Sequence, residues 1–256
     1  MKRLLLQLLR SIGYDLVPSQ RRVSMTGALS QAKRNGFRPA TIIDVGAGRG
    51  DFTRLSASIF PEADILMIEP LSEFNWALSQ VAATLTQARP VHAAASSSPG
   101  SCLLNVHPDL FGSSLLTEGE ASDVNGVPRE VPAITLDSAV EKNNLSGPYL
   151  LKIDVQGAEL DVLSGSAQVL RQTAFVILET SMFNFFKQGP LAHEIITWMA
   201  EYGFVPYDIF GLAHRPLDGA LAQADIVFVP EDSPLRRHHY YATLEQRAAL
   251  TKRLRT

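Results

Sequence analysis

The sequence predicts an α/β protein of Rossmann-like type. It should hold a seven-stranded, mostly parallel sheet with helices on both faces, a small insertion after the third strand, and extra helices at both ends. Three observations carry this. The stretch from Thr41 has strand character, runs into Asp44 and continues into glycines at 46, 48 and 50. A second strand, Asp64 to Ile68, ends in Glu69-Pro70, 25 positions after Asp44. Strand-like and helix-like segments then alternate, as they do where crossover helices join parallel strands. A chain of 256 residues is long enough for one sizeable domain of this kind.

Each element has its own signal. Met1 to Ile12 reads as a short amphipathic helix, with Leu4, Leu5, Leu8, Leu9 and Ile12 on one face. It is far too short to span a membrane and no small-residue cleavage site follows it, so it does not read as a signal peptide. Arg21 to Gly36 is a second helix, stopped by Gly36. After the glycine turn, Asp51 to Phe60 is helical, as is Phe74 to Thr84. Pro90 to Ala95 forms the third strand and closes in the small, polar run Ser96 to Gly100. There the alternation breaks. Cys102 to Val106 and Arg129 to Ile134 read as extended segments, joined through Gly112-Ser113-Ser114 and a loop at Ser122 to Pro128, and form an insertion over the ligand side. Asp137 is placed to cap a short helix, with Ser138 and Glu141 at capping-box spacing. Tyr149 to Val155 is a buried strand, Leu160 to Leu170 a helix, and Ala174 to Leu178 another buried strand leading to Glu179. Helix Leu191 to Tyr202 stops at Gly203, and strands Phe204 to Phe210 and Asp225 to Val229 complete the seven. The last twenty residues form a basic helix.

Composition limits the function. With Cys102 as its one cysteine, the chain has no internal disulfide and no multi-cysteine metal cage, which suits a reducing, cytoplasmic setting. Charge is unevenly spread. Residues 1–38 hold eight Lys and Arg against one Asp, and residues 233–256 hold six against one Glu, so the net −3 conceals an acidic body with basic ends. This divides the chain into an N-terminal helical extension (1–38), a ligand-binding domain (39–232) and a basic C-terminal helix (233–256). The basic ends suit contact with an anionic surface, peripherally at the inner face of a membrane or in a complex; solvated helix faces are the plain alternative. An acidic body opposes a phosphate backbone, so no nucleic-acid partner is expected.

The chemistry concentrates at strand ends. Glycines allow a tight turn and let the backbone approach a ligand closely. The spacing Gly46-x-Gly48-x-Gly50 after Asp44 departs from the Gly-x-Gly-x-x-Gly of nicotinamide sites. It fits a nucleoside with a charged amino-acid tail over the turn, and Asp44 would accept from its ammonium or from nearby backbone. Glu69, at the tip of strand two, is placed to take both ribose hydroxyls. In Lys152-Ile153-Asp154-Val155-Gln156-Gly157-Ala158-Glu159, Lys152 and Asp154 share one side of the pleat, and Asp154 reaches the carboxyl edge where open α/β sheets bind ligands. Structural readings stay open beside these: Asp154 as a turn cap, Glu159 favoured by a helix N-terminus, Lys152 paired with either. Glu179 should lie beside Asp154, and two neighbouring carboxylates suit a general base or oxygen ligands for Mg²⁺. His214, in a loop near acids, is a reserve base.

Taken together these residues resemble the FkbM-type family of class I methyltransferases that use S-adenosylmethionine. The resemblance rests on Ile43 to Ala47 with Gly50, Ile68-Glu69-Pro70, Gly112-Ser113-Ser114, Ile134 to Asp137, Lys152 to Glu159 and Ile177-Leu178-Glu179, in the family's order. Gln156 stands where the family usually has Glu. The resemblance implies a class I sheet ending in an antiparallel pair, and O-methylation of a hydroxyl on a sugar, a glycolipid or polysaccharide, or a natural product. The cofactor set it implies is Asp44, Gly46, Ala47, Gly48, Gly50, Glu69, Pro70 and Ala95. The catalytic candidates are Asp154, Glu179, Lys152, Glu159 and His214, with Asp154 the first choice as base. The competing readings are a non-catalytic module that senses the cofactor or docks a complex, and a nicotinamide oxidoreductase.

Overall fold

The computed structural model describes residues 23–118 and 125–254. The predicted helix at 1–12, the first residues of the helix predicted from Arg21, and part of the loop at 122–128 lie outside them. Helix α1 is Met25–Arg34, capped by the Ser24 hydroxyl, which accepts from Gly27 N, and followed by Gly36 at φ +96°. Strand β1 (Thr41–Val45) leads through the glycine turn into α2 (Asp51–Ile59), then β2 (Asp64–Ile68). A single 3₁₀ turn precedes α3 (Asn75–Thr84), and β3 is Ala88–Val91.

The predicted third strand is in fact two. After Val91 the chain bends, and β4 (Ala94–Ala95) leaves the main sheet to pair in parallel with β6 (Val127–Ile134). Pro90 pairs with Met67 from the sheet's edge strand, where a missing N–H is tolerated. The insertion is a small sheet in which β5 (Gly100–Val106) runs antiparallel to β6, in the order β4-β6-β5.

Helix α4 (Leu136–Lys142) is capped by Thr135, whose hydroxyl accepts from Ser138 N, and not by Asp137. The Asp137 carboxylate instead accepts from Gln168 N and Val169 N. It thereby caps α6 (Ala167–Arg171), which is separate from α5 (Glu159–Ser164). The single helix predicted over 160–170 breaks at Gly165, which ends α5 and where only glycine fits, since a Cβ would come within 2.3 Å of the Ser96 carbonyl oxygen.

Strands β7 (Tyr149–Ile153) and β8 (Thr173–Ser181), helix α7 (Ala192–Glu201), and the hairpin of β9 (Phe204–His214) and β10 (Leu221–Pro230) finish the main sheet. Its order is β3-β2-β1-β7-β8-β10-β9, with β10 antiparallel to both neighbours and the other adjacent pairs parallel. Helix α8 (Leu244–Leu254) follows.

Alternation along each strand builds two cores. Ile42, Met67, Leu150, Ile177 and Val227 bury against α1, α2 and α3. Ile43, Leu66, Leu151, Leu178 and Phe228 bury against α4 to α7. A strand buried on both faces has no cheap place for a charge, so the acids at the sheet's carboxyl edge stand out. Among the described residues no helix is long and apolar enough to cross a membrane.

Candidate active site

The glycine turn is shaped by what surrounds it. Gly46 has φ +74°, and a Cβ there would lie 1.9 Å from the Asp154 backbone oxygen. Gly50 (φ +79°) faces Val81, whereas Gly48 meets only the Phe111 ring. Over this turn lies a cavity of about 300 Å³. Gly46, Gly48, Glu69, Pro70 and Ala95 line it on the β1–β4 side, with Asp154, Gln156 and Glu179 from beyond β7. Leu71, Phe74, Leu104, Leu110 and Phe111 supply an apolar wall, much of it from the insertion. Ala47 and Gly50 belong to the turn but are not among the lining residues.

Glu69 is 5% exposed, and each carboxylate oxygen accepts one backbone N–H: Oε2 from Gly48 at 2.8 Å, Oε1 from Leu71 at 2.9 Å. Each oxygen keeps a second lone pair, so the group can still accept two hydroxyls. Burial pushes its pKa upward. Asp44 does not line the cavity. It lies fully buried beneath the turn, where Oδ2 accepts from the Thr53 hydroxyl at 2.6 Å and Oδ1 has no hydrogen-bond partner among the described residues. Burial raises its pKa against the opposing charge of Lys152.

A row of polar groups crosses the carboxyl edge from β1 to β10. Asp44 pairs in register with Lys152, and Asp225 with Glu179. Lys152 Nζ donates to Asp154 Oδ2 at 3.0 Å and sits 5.6 Å from the centre of the Phe52 ring. Gln156 Nε2 donates both to Asp154 Oδ1 (3.0 Å) and to Glu179 Oε2 (2.8 Å), and Gln223 Nε2 donates to the same Glu179 oxygen at 2.9 Å. Burial, then the charges of Asp154, Asp225 and Glu159, push Glu179 up to about 8. Burial likewise takes Asp225 to about 6 and Glu159 to about 7. Glu159 is walled off from the cavity, its Oε1 accepting from Gly157 N at 3.0 Å.

The structure therefore joins Lys152, Asp154 and Glu179 in one network and sets Glu159 behind it. His214 is not brought to the cavity. It is exposed at the far end of β9, opposite Leu221, and the nearest acid in sequence, Asp218, is held by Arg215 instead. The Mg²⁺ expectation does not fit the donor set either. An amide nitrogen bridges Asp154 Oδ1 and Glu179 Oε2, and an ammonium holds Asp154 Oδ2, so donors occupy three of the four oxygens a cation would need. Among the described residues no group of three or more His, Cys, Asp or Glu side chains is arranged for a metal ion. Sequence reasoning missed Gln156 as the link between the acids, and Gln223 and Asp225 as their neighbours. It also missed Phe111, which roofs the turn with Arg49 stacked 5.3 Å from its ring centre. The strand-end position of Asp225 was the only local signal.

The buried acids make stability depend on pH in a direction that can be worked out. A carboxyl whose pKa is higher folded than unfolded binds more protons in the native state. Its contribution is complete below the unfolded value, 4.5 for Glu159, and is lost as pH rises through about 7. The protein should therefore lose stability between pH 5 and pH 8, by up to about 1.4 kcal/mol per pH unit for each such group. Glu159→Gln keeps an acceptor for Gly157 and should flatten that slope in urea unfolding; an unchanged slope would remove Glu159 from the account.

Sheet order, glycine turn and the acid closing β2 define a class I methyltransferase fold. Within it, the model of the methyltransferase FkbM domain matches residues 44–206, and the chain belongs to that family. No curated protein matches the chain. Among solved structures it is similar to a methyltransferase FkbM from Methylobacillus flagellatus KT, at 13% identity and TM-score 0.49, over 73% of this chain and 43% of that one. This chain thus spans less than half of that protein. It is also similar to the 1,6-didemethyltoxoflavin-N1-methyltransferase of Burkholderia thailandensis, solved with 1,6-didemethyltoxoflavin and S-adenosylhomocysteine (13% identity, TM-score 0.46, 90% of this chain, 88% of that one). The magnesium protoporphyrin IX methyltransferase of Synechocystis PCC 6803, solved with its cofactor, gives 10% identity and TM-score 0.46 over 88% and 89%.

Proposed function

We propose that this chain transfers the methyl group of S-adenosylmethionine to a hydroxyl of a sugar, glycolipid, polysaccharide or natural product. The observation that carries the cofactor reading is Glu69: a buried carboxylate at the tip of β2, anchored to Gly48 N and Leu71 N and still open to the cavity. The residues present fit the cofactor. Glu69 would accept the ribose hydroxyls, the side-chain-free turn at Gly46 and Gly48 would admit the amino-acid tail, and Leu71, Phe74, Leu104 and Phe111 would cover a purine. Its sulfonium supplies an activated methyl group, so the protein mainly has to hold the acceptor oxygen in line, which is worth roughly 7–11 kcal/mol. The hydroxyl reading is supported by the carboxylates on the cavity wall, since an alcohol must lose a proton when it is methylated.

Glu69→Ala should weaken S-adenosylmethionine binding about 10- to 100-fold, the equivalent of roughly 1.5–3 kcal/mol for hydrogen bonds to a charged group. Calorimetry measures this, and an unchanged affinity would contradict the ribose assignment. The transfer itself is tested by incubating the protein with methyl-labelled cofactor and a cell extract split into lipid, polysaccharide, small-molecule, protein and nucleic-acid pools. Label in the glycan or glycolipid pool supports the reading, while label confined to protein or nucleic acid overturns the acceptor class.

A further inference from the structure

The sequence favours Asp154 as the base because it ends a central strand, but the hydrogen bonds divide the two acids differently. Both Asp154 oxygens are engaged, Oδ1 by Gln156 and Oδ2 by Lys152. On Glu179 the two amide donors, Gln156 and Gln223, converge on one oxygen, Oε2. Oε1 has no partner among the described residues, and Glu179 lines the cavity. An oxygen already held by an ammonium is a poor proton acceptor, and one free of donors on a residue that lines the ligand space is a good one.

We infer that Glu179, through Oε1, is the group that takes the acceptor's proton, and that Gln156 is the positioning residue that turns that oxygen toward the cavity. The inference rests on the methyl-transfer reading. In the step, the acceptor oxygen bonds to the methyl carbon as the carbon–sulfur bond breaks with its electron pair leaving on sulfur, and the hydroxyl proton passes to Glu179 Oε1. The groups facing Glu179 are Asp154 and Lys152 at the end of β7, Glu159 on α5 and Asp225 on β10. Three of these four are acids, and they raise its proton affinity as burial does. The backbone fixes Gln156 in place. It adopts φ +55°, unusual for a residue with a side chain, and its carbonyl accepts from the Ser114 hydroxyl at 2.6 Å. The insertion thereby clamps the loop that carries the amide.

An acceptor-independent experiment decides the assignment. S-adenosylmethionine and S-adenosylhomocysteine differ by the methyl group and one positive charge. Binding of the cationic form should therefore expel a proton from Glu179 near pH 7, and the neutral thioether should not. Calorimetry of both ligands in buffers of different ionisation enthalpy reads this directly. The extra proton release should be present in the wild type, present in Asp154→Asn with its midpoint moved to lower pH because one acid that raises the proton affinity of Glu179 is gone, and lost in Glu179→Gln. Its persistence in Glu179→Gln, or its absence from Asp154→Asn throughout the titrated pH range, would overturn the assignment; failure of the wild type to bind S-adenosylmethionine would overturn it together with the methyl-transfer reading.

With the extract pool that takes label, Glu179→Gln should lower kcat about 10²- to 10⁴-fold and leave the KM for S-adenosylmethionine within several-fold; normal turnover would refute it. Should no pool take label, the methyl-transfer reading fails by itself and the proton count still judges Glu179. Gln156→Met, which removes one donor from Glu179, guards against a folding defect in Glu179→Gln. It should move the wild-type proton release to higher pH while S-adenosylhomocysteine still binds, and an unmoved midpoint counts against the positioning role.

Discussion

Gly46→Val is expected to lower the melting temperature by at least about 6–12 °C and to abolish cofactor binding. The reason lies in the protein's own backbone. Gly46 sits at φ +74°, where a side chain costs about 1–2 kcal/mol. Its Cβ would also stand 1.9 Å from the Asp154 carbonyl oxygen and 3.0 Å from the carbonyl carbon. Neither neighbour can swing aside, because Asp154 N donates to Val45 O and Gly46 N to Ile68 O, tying three strand ends together. A total above about 3 kcal/mol then corresponds to roughly 2–4 °C per kcal/mol for a chain of this size. Gly48→Ala is the control. It shares the positive φ (+52°), but its Cβ would meet only the edge of the Phe111 ring at 3.3 Å, which can move. Its melting temperature should fall by only a few degrees. Equal losses at the two positions, read in parallel thermal scans, would show that the contact with Asp154 is unimportant.

This contrast also marks what could be read from the sequence. Strand β2 was legible to the residue, and β1 in its place and direction, because their ends are written locally, in an acid followed by glycines and in Glu-Pro. The need for glycine at 46 was legible too, but its cause was not. It comes from a loop more than a hundred positions away. The same limit explains the other differences. Asp137 looks like a cap for its own helix, yet its carboxylate goes to Gln168 and Val169, which only the packing of α4 beside α6 brings near. His214 has acids close in sequence, but the hairpin carries it out to an exposed strand end. The acid row was half visible. Asp154 and Glu179 announce themselves at the ends of apolar strands, whereas the amides that set their hydrogen bonds depend on the β8–β10 register and on a left-handed turn at Gln156 that no local pattern signals.

Lys152→Met is the second large effect expected, and it tests whether that row is one electrostatic unit. Lys152 is 7% exposed. Burial alone would push its pKa down, but the neighbouring charges of Asp154, Asp44 and Asp225 outweigh this and raise it. Methionine keeps the length of the stem and its contact with Phe52 while removing the charge, so lost packing is a small part of the change. Removing one partner of a buried ion pair costs about 3–5 kcal/mol, because the remaining charge is left uncompensated. The loss should depend on pH with a definite sign. Without the ammonium the carboxyl groups of Asp44 and Asp225 hold protons more tightly, and a protonated acid needs no cation. The deficit relative to the wild type should therefore be largest near pH 8 and shrink as pH falls toward 5. Urea unfolding of both proteins at the two pH values measures it. A deficit equal at both would mean that Lys152 acts by filling space, and the polar row would then have to be treated as separate local contacts.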